Sequence, residues 1–320
     1  MVLYDSELGY YRAGKRPRKD YLTSPEIHPV FGQTLGAYIR EVRTSHARDG
    51  ITILELGGGS GILAQQILSV LNDREQCRYI ILEKGHKSPD SHITWISDPA
   101  DVPVIAGLTI VLANEFFDAL PFHRVVNTEA GLNEIYIDYA DGYVEKLGAL
   151  SPPVEAFLRS HSLALNLHQA AEVTTRTHDI LSDISARVEE ALLLVFDYGY
   201  HGAELAHGRF FEGSMVGYKE MKLRESLFEE LGSIDITHHV NFDHLSALLG
   251  RLGWTKTGES EQYRFLLNIG VLERMIALPE MERVSAKGVI NPHGIGSMIS
   301  VLGFTRNVAW DAPGFVGKPL

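Results

Sequence analysis

The chain has 320 residues, of which 45% are hydrophobic and 22% charged, with a single cysteine, Cys77. That composition excludes a disordered chain, a collagen-like repeat and a disulfide-stapled scaffold, and a formal net charge of −12 argues against binding along a nucleic-acid phosphate backbone. The longest apolar stretch, residues 102–113, contains Pro103, Gly107 and Thr109 and falls short of the roughly 20 residues a bilayer span needs.

Residues 1–20 read as loop, with Arg12, Lys15, Arg16, Arg18 and Lys19 clustered around Pro17; a solvated loop and a contact for an acidic partner both suit such a cluster. Thr23-Ser24-Pro25-Glu26 opens a helix as a capping box with proline in its first turn. Ile27, Val30, Phe31, Leu35, Tyr38, Ile39 and Val42 continue it at helical spacing. Residues 51–56 form a buried strand, followed by a glycine run and an apolar helix carrying Ile62, Leu63, Ile67, Leu68 and Leu71. Strands are expected at 78–82, 93–96 and 108–113. This alternation predicts an α/β fold with a doubly wound, mostly parallel sheet.

The pattern changes after Pro121. Residues 122–127, 132–139 and 143–147 read as antiparallel strands with turns at 129–131 and 141–142. Helices are expected at about 153–166 and 174–190, and a buried parallel strand returns at 191–196, ending at Asp197. Residues 122–190 therefore read as an inserted α+β subdomain, and 1–121 plus 191–320 as the core. Residues 199–240 are weakly periodic and read as a lid or substrate loop. A helix at 242–252, a strand near Trp254, a helix near 270–278 and a last strand at 298–304 complete the chain.

The sharpest chemical signal is Glu55-Leu56-Gly57-Gly58-Gly59-Ser60-Gly61, between a strand and a helix. Glycines here allow a tight turn and let a ligand lie against the backbone. A P-loop would need Lys and Ser or Thr after the last glycine, where Ile62-Leu63 stand. A dinucleotide fingerprint starting at Gly57 would need glycine at Ile62. The spacing Glu55, Gly57, Gly59, Gly61 suits S-adenosyl-L-methionine instead. The reactive end of that molecule is cationic, and a carboxylate attracts it by about 3 kcal/mol at ~5 Å and an effective dielectric of ~20. Glu83 ends the next strand, 22 positions past Gly61, where a carboxylate accepts both ribose hydroxyl protons. Asp98, after the third strand, is placed either to meet the adenine amino group or to cap a turn.

Further segments carry a family resemblance. Tyr4-Asp5-Ser6-Glu7-Leu8-Gly9-Tyr10-Tyr11, Tyr21-Leu22-Thr23-Ser24-Pro25-Glu26-Ile27 with Phe31-Gly32, Asn114-Glu115-Phe116-Phe117-Asp118-Ala119-Leu120-Pro121, Phe196-Asp197-Tyr198-Gly199 and Asp235-Ile236-Thr237-His238-His239-Val240-Asn241-Phe242 together resemble the MidA family of class I S-adenosylmethionine-dependent methyltransferases over nearly the whole chain. The resemblance implies a seven-stranded Rossmann-like core. It also implies a protein substrate with arginine favoured, because mitochondrial members methylate arginine while respiratory complex I is assembled. A respiratory-complex subunit is one partner it implies; nucleic acid, membrane insertion and a bound metal are not expected. A cytoplasmic location is expected, or the mitochondrial matrix for a eukaryotic source, although residues 1–5 resemble neither a signal nor a transit peptide. The family's loop is Gly-Pro-Gly-Arg-Gly, so Gly58 and Ser60 depart from it and predict a looser turn. The rival readings are a non-catalytic assembly factor that keeps the fold and, disfavoured by Ile62, a nicotinamide oxidoreductase.

In a parallel sheet, ligands gather outside the carboxyl ends of the strands, which places Asn114-Glu115 where a methyl acceptor meets the donor. An arginine acceptor needs its charge paired and one nitrogen oriented, and carboxylates do both. Glu115 is the first candidate, Glu26 the second, and Asp118 a supporting one; Asn114 is assigned to the cofactor. Glu26 equally suits the capping box and Asp118 a helix cap. The 14 histidines show no H-E-x-x-H spacing and read as ordinary core or surface residues, with His201 and His239 open as general bases.

Overall fold

The computed structural model describes residues 3–5, 9–11, 20–71, 76–85, 91–161, 163–224, 226–228 and 231–316. The basic cluster from Arg12 to Lys19 lies outside the described residues. The chain divides into two compact units.

The larger unit holds residues 22–116, 182–198 and 249–320. Its seven-stranded sheet is built from β1 (Ile51–Leu56), β2 (Cys77–Leu82), β3 (Ile93–Ile96), β4 (Ile105–Asn114), β5 (Val188–Asp197), β6 (Thr255–Glu261) and β7 (Ser300–Arg306). The spatial order is β6-β7-β5-β4-β1-β2-β3. Strands β3, β2, β1, β4 and β5 run parallel, and β7 lies antiparallel between β5 and β6. This is the doubly wound, mostly parallel α/β sheet expected. β1 is buried at all six positions, as a strand covered on both faces must be.

Two helices precede the sheet, α1 (Ser24–Ile27) and α2 (Val30–Ser45). One continuous helix was expected there. The break has a local cause: Pro29 disfavours helical geometry in the residue before it, and His28 is extended at φ −159°. Helix α3 (Ile62–Leu68) follows β1. Its Leu63, Ala64, Ile67 and Leu68 pack with Phe31, Leu35 and Ile39 of α2 and with β1 and β2 in one core cluster. Buried Gln66 ties α3 to both earlier helices, accepting from Gly32 N at 3.2 Å and donating to Pro25 O at 2.7 Å.

Several boundaries shift for identifiable reasons. β4 starts at Ile105, ahead of the expected 108, across an irregularity in register where Gly107 takes φ +80°. β5 starts at Val188, opposite Ile105, so sheet pairing ends the expected 174–190 helix early, and the helix observed is Arg176–Ser185. Residues 295–298 are helical, which delays β7 to Ser300. Helices Gln262–Asn268 and Glu280–Ala286 were not expected.

The second unit holds residues 1–21, 117–181 and 199–248. The three expected antiparallel strands appear as His123–Thr128, Gly131–Tyr139 and Tyr143–Gly148. A fourth, Ala170–Val173, pairs with the first. Its alanines hide it from propensity, but all four positions are buried, and packing overrides propensity in strands. The 199–240 stretch contributes Val216–Lys219, Lys222–Arg224 and Asp235–Thr237, which form a small antiparallel sheet. Tyr10 with Leu3, Leu227, Ile234 and Ile236 forms its apolar cluster. Among the described residues no helix is long and apolar enough to cross a membrane.

Candidate functional site

The order of strands reverses between β1 and β4. Ligands of doubly wound sheets bind at such a switch point. Leu56 pairs with Ala113, so the two chains leave the sheet side by side, one into Gly57 and the other into Asn114 and Glu115.

Gly57, Gly59 and Gly61 have φ of +72°, +52° and +79°, a region that costs a residue with a Cβ about 1–2 kcal/mol. Space is short as well: a Cβ on Gly57 would stand 2.7 Å from Phe116 Cδ2. Gly58, one of the departures from the family pattern, has its own reason. A Cβ there would meet Ile81 Cγ2 at 2.5 Å and Glu55 Cδ at 3.4 Å, so the bare residue is matched to a bulky neighbour on β2. The turn is tied down by hydrogen bonds of its backbone N–H groups. Gly57 N donates to Leu82 O at 2.9 Å, Gly61 N to Gly58 O at 2.8 Å, and Gly59 N to Glu83 Oε2 at 3.0 Å.

The two acids flanking the loop differ in character. Glu83 is half-buried at the tip of β2. Besides Gly59, it accepts from Gly85 N through Oε1 at 2.7 Å, and each oxygen keeps lone-pair capacity for a further donor. Glu55 is 3% exposed and lies under the loop, where it accepts from Tyr79 Oη at 2.7 Å. Burial lifts its pKa from the ordinary 4.5 to about 7; the Tyr79 bond opposes the rise and the charge of Glu83 adds to it.

The remaining candidates sort themselves by their bonds. Asn114 ends β4; its Nδ2 donates to Glu115 Oε1 at 3.3 Å, while its buried Oδ1 has no hydrogen-bond partner among the described residues. Glu115 has φ +47°. A non-glycine residue held there is strained, and such strain concentrates at functional sites. Asp98 is exposed and accepts from Ala100 N at 2.9 Å, capping the turn Pro99–Asp101. Glu26 closes its capping box, accepting from Thr23 N at 3.1 Å and Thr23 Oγ1 at 3.2 Å through one oxygen. For these two, the capping alternative is the one the geometry displays. Asp118 belongs to the second unit and lies in a turn, with no helix after it to cap. It is 6% exposed, and burial together with the nearby charge of Asp235 holds its pKa well above the carboxylate range. His201 is paired through Nδ1 with Asp243 at 2.7 Å. Burial lowers the pKa of His239. Among the described residues no three His, Cys, Asp or Glu side chains are placed to hold a metal ion.

Sequence reasoning missed two neighbours of the loop. Trp95, in β3, approaches so closely that a Cβ on Gly61 would lie 3.1 Å from its ring, and its buried Nε1 has no partner among the described residues. Tyr79 supplies the bond that holds Glu55. Both face the site by strand alternation from positions that read as ordinary core.

Comparison with known proteins places the chain in a family. The Methyltransf_28 family, S-adenosyl-L-methionine-dependent methyltransferases, matches residues 34–260. The chain is 26% identical to the protein arginine methyltransferase NDUFAF7, mitochondrial, of Rattus norvegicus, over 92% of this chain and 77% of that protein. Against the Homo sapiens protein of the same name it is 28% identical, over 87% of this chain and 70% of that one. A crystal structure of a likely methyl transferase of the COG1565 superfamily from Burkholderia thailandensis, bound to S-adenosyl-homocysteine, superposes with a TM-score of 0.82 at 22% identity, over 97% of this chain and 87% of that one.

Proposed function

The chain belongs to the Methyltransf_28 family of S-adenosyl-L-methionine-dependent methyltransferases, and we propose that its methyl acceptor is an arginine side chain of a protein. The residues at the switch point fit the cofactor. Three left-handed glycines add no side chains of their own to the loop, Asn114 Oδ1 is a buried acceptor without a partner among the described residues, and the carboxylates of Glu55 and Glu83 lie beside the loop. When bound, the cofactor supplies a methyl group on a sulfonium, open to in-line displacement.

The chain's own residues then have distinct tasks. Glu83 receives the ribose hydroxyls on its remaining lone pairs. Glu55, once ionised, provides a negative charge beneath the loop for the cationic end. Asn114 Oδ1 accepts an N–H from the same molecule. Trp95 offers a flat apolar face and an N–H on the side of β3. Glu115 carries the acceptor role: its backbone N–H is bound to Phe196 O at 2.8 Å, which fixes the root of the side chain at the carboxyl end of β4. A carboxylate fixed there pairs a guanidinium and orients one of its nitrogens, and holding the nucleophile is most of what this displacement requires. Glu26 is kept to its cap, and no role at this site is assigned to Asp118.

The observation that carries this reading is the strained Glu115 beside the glycine loop. The names of the mitochondrial relatives support arginine as the acceptor. A respiratory-complex subunit is the first substrate to assay, and a cytoplasmic or mitochondrial-matrix location goes with that reading. The test is transfer from methyl-labelled cofactor to protein substrate, followed by acid hydrolysis. Label recovered as methylarginine is the expected result; label in another residue, or none from a preparation that binds S-adenosylhomocysteine, overturns it.

A further inference from the structure

The helical hairpin at residues 271–286 of the larger unit carries apolar residues on its outer side. Its first helix, Val271–Ala277, starts after Gly270 at φ +90° and stops where Pro279 keeps Leu278 in extended backbone. The second, Glu280–Ala286, follows at once. Arg283 fixes the two to each other: its Nη2 donates to Ile276 O and its Nε to Leu278 O, both at 2.9 Å, which satisfies carbonyls that the end of the first helix leaves open. Val271 and Met275 of the first helix and Ala286 of the second belong to the core cluster.

A surface helix ordinarily turns its apolar stripe to the core and its charges outward. The second helix does the reverse. Helical spacing sets Met281 and Val284 within about 40° of the direction opposite Ala286, and Met281 is 87% exposed and Val284 70%. On the first helix Leu272 and Ile276, one turn apart, are 46% and 69% exposed. By these fractions the four residues together offer on the order of 500 Å² of surface, a size that marks an interaction site.

Charge and area together select the occupant. The chain carries a net charge of −12, so two copies repel each other over most approaches. Residues 271–287 are different: Glu273, Glu280 and Glu282 are matched by Arg274, Arg283 and Lys287, and the segment has no net charge. Two copies meet there without repulsion, and each acid finds a base on the other copy. An anionic membrane surface would require an excess of bases, which this segment lacks. A protein interface of standard size buries about 800 Å² on each partner, and about 65% of a homodimer interface is apolar, close to what the four residues supply. A twofold needs only one self-complementary patch and closes on itself.

We infer that the hairpin at 271–286 is the interface of a homodimer, in which Leu272, Ile276, Met281 and Val284 of one copy pack against the same residues of the other. The inference depends neither on the methyl acceptor nor on the residues assigned to the cofactor.

The test is the mass of the full chain in solution, by sedimentation from about 1 to 100 µM, a span chosen because interfaces of this size differ widely in strength. The wild type is expected to reach twice the chain mass. Met281→Glu combined with Val284→Glu puts charge into the contact while replacing side chains that are largely exposed in the single copy, and should weaken association at least a hundredfold. Ile276→Glu, on the other helix, should do the same. Val104→Glu adds the same charge at an apolar residue elsewhere that is 82% exposed, and should leave the dimer intact. Unchanged affinity for S-adenosylhomocysteine in every variant reports an intact fold. A wild type that stays monomeric at the highest concentration overturns the inference, whatever other protein the hairpin captures. So does a dimer that survives both hairpin variants, which would put the contact on another face, or one lost equally in Val104→Glu, which would trace the loss to added charge alone.

Discussion

Replacing Glu55 by glutamine separates what this carboxylate does for binding from what it does to the fold. Its pKa is raised from 4.5 to about 7, chiefly by burial, so the folded chain holds that proton more tightly than the unfolded chain does. Below about pH 4.5 both states are protonated and the group has no effect on stability. As pH rises toward 7 the unfolded chain ionises first, and stability falls. Above 7 the loss levels off at about 3 kcal/mol. Glutamine carries no charge to desolvate and still accepts the Tyr79 hydroxyl. Glu55→Gln should therefore gain about 2 kcal/mol more at pH 8 than at pH 5, read from urea midpoints with unchanged slopes. Affinity should move the other way. For the wild type, binding of S-adenosylhomocysteine measured by titration calorimetry should strengthen from pH 6 to 8 as the carboxylate ionises. In the variant it should be ten- to a hundredfold weaker, consistent with an attraction of at most about 3 kcal/mol, and without that pH dependence. Equal stability changes at the two pH values would show that the acid is not held in the fold as described. The same rise of affinity with pH in both proteins would remove Glu55 from the binding account.

Gly58→Ala should impair binding of S-adenosylhomocysteine because of the 2.5 Å approach to Ile81 Cγ2, and Ile81→Ala in the same chain should restore part of it; calorimetry of the single and double variants checks this, and no rescue would mean that the loop fails for another reason. Glu115→Gln should keep cofactor affinity while lowering turnover a hundredfold or more in the labelled-methyl assay. Glu115→Gly should be equally inactive yet melt no lower than the wild type, because it relieves the φ +47° backbone, a strain of about 1–3 kcal/mol.

What could be read from the sequence follows from how locally it is encoded. β1, β2 and β4 are mostly apolar runs followed by a glycine or an acid, and the loop's glycine spacing is itself the backbone conformation, so both were legible. The place of Glu83 beside the loop, though not a task there, was legible from its distance to Gly61. The tasks of Glu26 and Asp98 were not, because a carboxylate that caps a turn and one that binds a ligand occupy the same kind of position in a string of letters; only the bonds to Thr23 and Ala100 tell them apart. Trp95 and Tyr79 come from strands whose register with β1 decides what they touch, and register is a long-range property. Ala170–Val173 was missed because its residues favour a helix in isolation.

The position of β7 bears on how the protein is made. Residues 300–306 fill the slot between β5 and β6, yet they leave the ribosome after both. Until they emerge, β5 is paired on one side only, and one of the most apolar strands of the chain presents an open edge, the kind of template on which neighbouring nascent chains join. Completion of the sheet waits for residues 300–306, and a message cut short before them would yield a product prone to clump.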